Sequence, residues 1–297
     1  MSHLRFIAKP ITLTVAAVTL STLNPLALAQ TKSVLEEVIV TAQKREQQLQ
    51  DVPIAVTAFS GAQLKSLGVT NSFDIAAFTP GVHISGNLAG QNTQFSIRGV
   101  TQNDFNDIIE APNAVYLDEG YIAVAQAQTF AVFDIDRVEI LKGPQSTLFG
   151  RNATGGLVHY VSNKPDFEEA GGYLDFTAGV FDVENSANRY TVEAAVTGPL
   201  GEKAAGRLAI RYNKQDAYLK NLYPDGAFLP PPGAGAGKDL GDDDTIAARL
   251  TLAFRPSDTV EVSIAANHAE SDIATGPYQS KSTIGIVENG ELVNVID

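Results

Sequence analysis

The sequence predicts an α+β domain followed by antiparallel strands of the transmembrane β-barrel type, with the barrel incomplete. Three observations carry this. Residues 137–165 read as two short strands joined by a structured, glycine-rich loop, and residues 51–136 before them mix short strand and helix patterns. From residue 171 onward, five long segments follow one another, each with apolar and polar side chains alternating.

Taken from the start, residues 1–29 carry Arg5 and Lys9, an apolar run at 11–20 and Ala27-Leu28-Ala29 before Gln30. A basic start, a short apolar run and a small-x-small site describe a secretory leader. The run is short of the roughly 20 residues of a spanning helix, and Asn24-Pro25 interrupts it. Residues 30–50 then hold a β-prone stretch, Glu37, Val38, Ile39, Val40, Thr41 and Ala42, and a polar run, KREQQLQ, that reads as a tether. A short extended segment on a tether is able to add itself to another protein's sheet edge. Many domains also begin with such a strand.

Within 51–136, residues 53–59 alternate as a strand, and Ser60 is placed to cap a helix with Leu64 and Leu67 on one face. Residues 71–78 repeat the helical scheme until Pro80-Gly81, and 82–85 and 95–100 read as short strands. Residues 86–94 (GNLAGQNTQ) and 101–113 (TQNDFNDIIEAPN) are polar and turn-rich and read as loops.

Residues 138–141 and 157–162 are the apolar-alternating runs of the third region. Gly143-Pro144, Gly150, Asn152 and Gly155-Gly156 lie between them, residues that supply backbone freedom or a fixed φ. Other readings of this stretch fail on spacing. A phosphate loop needs Lys-Ser/Thr after its second glycine, whereas Gly150 is followed by Arg151-Asn152; a nucleophile elbow needs a glycine two residues before Ser146, and Gly143 is three before it. Asn152-Ala153-Thr154 matches a glycosylation acceptor, a pattern that is short and common.

The run VEILKGPQSTLFGRNATGGLVHYVSNKP resembles the end of the plug domain of TonB-dependent outer-membrane receptors, whose usual form is close to VEVLRGPQGTLFGRNATGGAINIVTKKP. It departs at Lys142, Ser146 and Leu157-Val158-His159. The resemblance implies a leader at 1–29, a TonB box and linker at 30–50, a plug domain at 51–165 and barrel strands at 166–297. It makes residues 37–42 the TonB-binding segment. Arg137, Glu139, Lys142, Gly143, Pro144, Gly150, Arg151, Asn152, Gly155 and Gly156 become plug-motif residues, with Ile97-Arg98-Gly99 similar to a second motif. Arg98 reads either as a solvated strand residue or as a partner for carboxylates of a barrel wall. Asn92, Gln94, Asn103, Phe105 and Asn106 fall on the segments that touch ligand in the family. Residues 115–121 (VYLDEGY) are similar to a third plug motif, with an extra residue, Glu119.

The five alternating segments centre on 174–180, 190–196, 207–212, 246–254 and 260–267. Apolar-out, polar-in alternation is the signature of a membrane barrel, and a soluble β-sandwich gives the same pattern. Short connections near 198–206 and 256–259 and a long one at 220–243 fit a barrel's turns and loops. Plugged transporters have about 22 strands, so a whole barrel needs roughly 350 further residues, and the chain is expected to be an N-terminal part.

The 297 residues include no Cys, which removes disulfides and thiolate metal sites. With 21 Lys+Arg against 34 Asp+Glu, the formal charge of -13 argues against a nucleic-acid partner. His3, His83, His159 and His268 are isolated, without metal-ligand or catalytic spacing, so no enzyme is expected. Asp242-Asp243-Asp244 reads as a solvated charge run. The resemblance implies TonB-dependent transport across the cell outer membrane of a scarce small molecule, by default an iron-siderophore. Its expected partners are TonB with the inner-membrane energising complex and outer-membrane lipid; no cofactor is expected beyond iron in the cargo. A periplasmic or surface binding module with a soluble sandwich, and a non-functional truncated receptor, are the alternatives.

Overall fold

The computed structural model describes residues 39–87, 92–102, 109–182, 186–220, 239–273, 285–288 and 291–295. The leader, Glu37, Val38, Asn103, Phe105, Asn106 and most of the long 220–243 connection lie outside these residues.

The chain opens on a hairpin of β1 (Ile39–Val40) and β2 (Gln47–Gln48), with Ile39 opposite Gln48 and Val40 opposite Gln47. Lys44, at φ 59°, makes its turn, and Leu49–Asp51 form a short 3-10 helix. The polar run expected as a tether is thus folded, because Val40 and Ala42 are fully buried and draw the chain back over the domain.

The domain's main sheet has the order β3 (Val56–Ser60), β8 (Ile135–Lys142), β9 (Gly156–Ser162), β6 (Asn113–Leu117), β7 (Gly120–Tyr121). All its neighbours are antiparallel except β6 and β9. Helix α1 (Gly61–Ser66) follows β3 directly. Ser60 caps it by accepting from the Gln63 amide while the Gln63 side chain accepts from the Ser60 amide. Residues 74–78 form a 3-10 helix rather than an α-helix, since Asp74 spends its carboxylate on the Thr70 and Asn71 amides and Asn71 accepts from the Phe73 amide. β4 (Val82–Asn87) and β5 (Asn92–Ile97) pair as a separate hairpin, so 86–87 and 92–94 belong to strands and not to a loop. β5 ends before Arg98, which takes φ 52° in a tight turn with Gly99; Arg98 is therefore a turn residue, not a strand residue. Asp118 turns the chain at φ 52° between β6 and β7, and its carboxylate accepts from the Ser162 amide and hydroxyl.

Two apolar clusters sit on the two faces of this sheet, one around Ile75, Phe95, Ile97, Val138, Ile140 and Tyr160, the other around Val40, Ala42, Leu141, Phe149 and Leu157. The second is the one the N-terminal hairpin completes. Between β8 and β9 lies α2 (Ser146–Phe149), a single helical turn that puts Phe149 into that cluster.

Five long strands follow in chain order in one antiparallel sheet: β10 (Gly171–Phe181), β11 (Ala187–Gly201), β12 (Ala204–Gln215), β13 (Asp243–Ser257) and β14 (Val260–Ile273). The short connections are tighter than the sequence suggests, two residues each at 202–203 and 258–259. β15 (Gly285–Glu288) and β16 (Glu291–Val295) form a further hairpin. Among the described residues the five-stranded sheet is open, with β10 and β14 at its edges.

The exposed face of the sheet is the apolar one: Leu174 is 74% exposed and Val196 61%, with Phe176, Ile210, Leu250 and Ile264 alike. The buried face is the polar one, including Arg211, Asn213, Thr245, Arg249 and Thr251. A soluble sandwich buries its apolar face. The reverse arrangement suits lipid outside and a plug inside.

Candidate functional site

The polar face of the sheet closes on three residues of the α+β domain, 132–134, just before β8. Ala195, Ala209 and Ala247 keep the wall low there, and Phe133 packs against them. Around that contact the wall supplies one polar side chain after another. Arg207 of β12 donates to both oxygens of Asp134, at 2.8 and 2.5 Å. Glu193 of β11 accepts from the Asp134 amide at 3.2 Å and from Tyr173 of β10 at 2.6 Å. Arg211 donates to the Val132 carbonyl, and Arg249 of β13 donates to those of Phe133 and Asp134 with its guanidinium 4.9 Å from the Phe133 ring. Four adjacent strands thus clasp one short segment, and its buried charges and carbonyls are paired. None of these residues was singled out from the sequence, although charged side chains on the polar face of predicted strands were the available signal.

A cleft of about 730 Å³ runs beside the clasp between domain and wall, with Lys65, Asp136, Asp175, Arg189 and Thr191 in its lining. Lys65 bridges it to Asp175 at 2.5 Å.

The second contact region is where residues 39–42 lie on β8. Glu139, fully buried, accepts at one oxygen from the Thr41 amide (2.7 Å), the Thr41 hydroxyl (3.1 Å) and Arg137 Nε (2.7 Å). Arg137 also donates to the Thr41 hydroxyl at 3.1 Å and pairs with Asp136 at 2.6 Å. The other Glu139 oxygen and His159 Nδ1 have no hydrogen-bond partner among the described residues and stand 3.8 Å apart, too far to bond to one another. Burial pushes the Glu139 carboxyl up, but nearby His159, the Thr41 amide and Arg137 outweigh it and hold it below the ordinary glutamate value. Lys44, beside the Phe149 ring at 4.8 Å and paired with Glu119, pins the turn of the hairpin.

Of the other singled-out residues, Gly143 (φ 114°) and Gly150 (φ 77°), in the connection between β8 and β9, and Gly156 (φ 151°), at the start of β9, take positive φ, which glycine adopts freely. Gly155 has no room for a side chain, because a Cβ there would meet the Asn113 side chain and Val100. Pro144 lies in the turn between β8 and α2. Arg151 pairs with Glu110 at 2.6 Å and Asn152 donates to Tyr121 at 2.6 Å. Ile97 is buried, whereas Arg98 is exposed beside Gly143. Lys142 donates to the Pro80 carbonyl at 2.8 Å, and burial together with the Arg98 charge holds its pKa down. Asn92 and Gln94 fall in β5, in the hairpin with β4, while Asn103, Phe105 and Asn106 lie outside the described residues.

An α+β domain held by the polar face of an antiparallel sheet, whose apolar face is exposed, defines a plugged outer-membrane barrel. Residues 48–157 match the family model described as TonB-dependent Receptor Plug Domain, and the domain with the strands that follow it is similar to the plug and first barrel strands of such receptors. It is 27% identical over 209 residues to the iron-regulated outer membrane virulence protein of Vibrio cholerae serotype O1, covering 67% of this chain and 30% of that protein. It is 28% identical over 242 residues to the pesticin receptor of Yersinia pestis, covering 80% and 32%. The crystal structure of the ferric yersiniabactin uptake receptor of Yersinia pestis superposes with a TM-score of 0.60 at 24% identity, over 73% of this chain and 32% of that one. The chain thus spans about a third of the length of the curated relatives it matches. The similar proteins are named as receptors and transporters, the Vibrio cholerae protein as one of the outer membrane, and the outer membrane is where this chain belongs.

Proposed function

We propose that this chain is the plug and leading barrel segment of a receptor that takes up a scarce small molecule through TonB, with an iron-siderophore as its cargo. The observation that carries the reading is the placement of residues 39–42: a two-residue strand running into a turn at the margin of the domain, seated on β8, on the strand that starts at the wall clasp. Ile39 is half exposed there, and its pairing with Gln48 is short. A segment held by one two-residue ladder, a few side-chain bonds and the burial of Val40 and Ala42 is short enough to exchange into the sheet edge of a partner, which main-chain hydrogen bonds would secure. TonB, energised from the inner membrane, is that partner in this reading, and no nucleic acid takes part.

The test is Ile39→Pro in the full-length receptor. Proline removes a ladder donor, so uptake of labelled ferric siderophore is expected to fail while surface binding of the same compound stays unchanged. Normal uptake by that variant would overturn the assignment of residues 39–42.

A further inference from the structure

Glu139 belongs to the interior of the plug sheet, opposite Ala58 on one side and His159 on the other. Its burial is complete, so its charge needs specific partners. Two of the three hydrogen bonds to its bonded oxygen come from Thr41. The third comes from Arg137, which also reaches the same Thr41 hydroxyl, so the three residues close a ring. The second carboxylate oxygen has no hydrogen-bond donor among the described residues: His159 Nδ1 stands 3.8 Å from it, and His159 Nε2 lies 2.7 Å from the Asp118 carbonyl. Undocking of residues 39–42 would therefore leave a buried carboxylate with Arg137 as its one hydrogen-bond donor among the described residues. A glutamate in a sheet interior is costly unless its charge is paired and hydrogen-bonded, so loss of the Thr41 donors is resisted.

We propose that Glu139 is the latch that keeps residues 39–42 on the plug, with Arg137 positioning its carboxylate, and that it sets the fraction of receptors whose segment is free for a partner. This rests on reading 39–42 as the strand-adding segment. β8 gives the latch its leverage: Asp134, clasped by the wall, lies five residues before Glu139 on the same run of chain, so docking on Glu139 ties the segment to the barrel through one strand.

The experiment uses the full-length receptor with one cysteine at Ile39, carrying a nitroxide label read by electron paramagnetic resonance. This stretch has no native cysteine to interfere. Glu139→Gln, which keeps shape and removes charge, is expected to raise the mobile fraction of the label at least about tenfold, the factor that one charge-assisted hydrogen bond supplies. Thr41→Val, which leaves the plug interior untouched, is expected to act in the same direction, and Arg137→Lys more weakly. A label at Leu148, exposed on α2, must keep its spectrum in every variant, which separates latch release from unfolding. An unchanged Ile39 label in both Glu139→Gln and Thr41→Val overturns the latch. Titration with the soluble carboxy-terminal domain of TonB separates the two readings. Tighter binding to Glu139→Gln supports both, while a freed label with unchanged affinity keeps the latch and overturns the role given to 39–42.

Discussion

Asp134 and Arg207 join the plug to the barrel wall by a two-pronged ion pair, with Arg207 donating to both carboxylate oxygens and both side chains largely buried. Removing one partner of such a pair leaves an uncompensated buried charge, which costs about 3–5 kcal/mol. Asp134→Ala in the full-length receptor is expected to lower the plug's urea midpoint accordingly. Arg207→Lys should recover only part of the wild-type value, because an ammonium cannot reproduce the fork. Equal midpoints for Asp134→Ala and wild type would show that the plug does not hang on this segment.

The plug's stability should depend on acid through Glu139. Its carboxyl is held below its ordinary value, so its contribution is complete above that ordinary value and is lost as pH falls through the lower, folded one. The charged or titratable side chains around it are Arg137, paired with Asp136, and His159; Lys44 and Glu119 pair with each other at the turn of the hairpin. Urea midpoints measured from pH 7 down to about 3, below the free glutamate value, should draw together for wild type and Glu139→Gln as the pH falls and diverge toward neutrality. Parallel curves would remove Glu139 from the pH response.

Much of the architecture is legible in local pattern. Ser60 and Gln63 announce the start of α1, and the five alternating segments announce β10 to β14, with the apolar and polar faces of β10 to β13 as expected. What pattern does not carry is the pairing of distant segments. Thr41 and Glu139 are 98 residues apart, and Asp134 and Arg207 are 73 apart, so neither contact leaves a periodicity to find. The left-handed turn at Arg98 was hidden for another reason. Arginine there is compatible with a strand by composition, and it is the neighbouring packing of Ile97 and the following Gly99 that end β5. The polar run after Ala42 looks like a tether until the burial of Val40 and Ala42 is known, because its own residues give no reason to fold.

Gly156 opens β9 at φ 151°, where a Cβ would run into the carbonyl of Leu141 on β8. Gly156→Ala is expected to cost about 1–3 kcal/mol from backbone strain, before any displacement of β8. Limited proteolysis of the plug over a temperature series would show the loss as cleavage at lower temperature. A wild-type profile would mean that the β8–β9 junction relaxes without penalty.

The orientation of the sheet makes the last prediction, and this stretch contributes no tryptophan of its own to the signal. Val196 and its cross-strand partner Leu208 point away from the plug, whereas Tyr173 points toward it and bonds Glu193. If the apolar face meets lipid, a tryptophan at Val196 in the full-length receptor is quenched by lipids brominated on their acyl chains, measured against the unsubstituted receptor. Tyr173→Trp, shielded by the wall, is not quenched. Val196→Arg should also cost about 2–4 kcal/mol of insertion stability if the residue lies near the bilayer midplane, and less near an interface. A soluble sandwich would also resist an arginine in its core, so the arginine variant alone does not separate the two architectures. The quenching does, because only a lipid-facing strand brings position 196 into contact with the brominated chains.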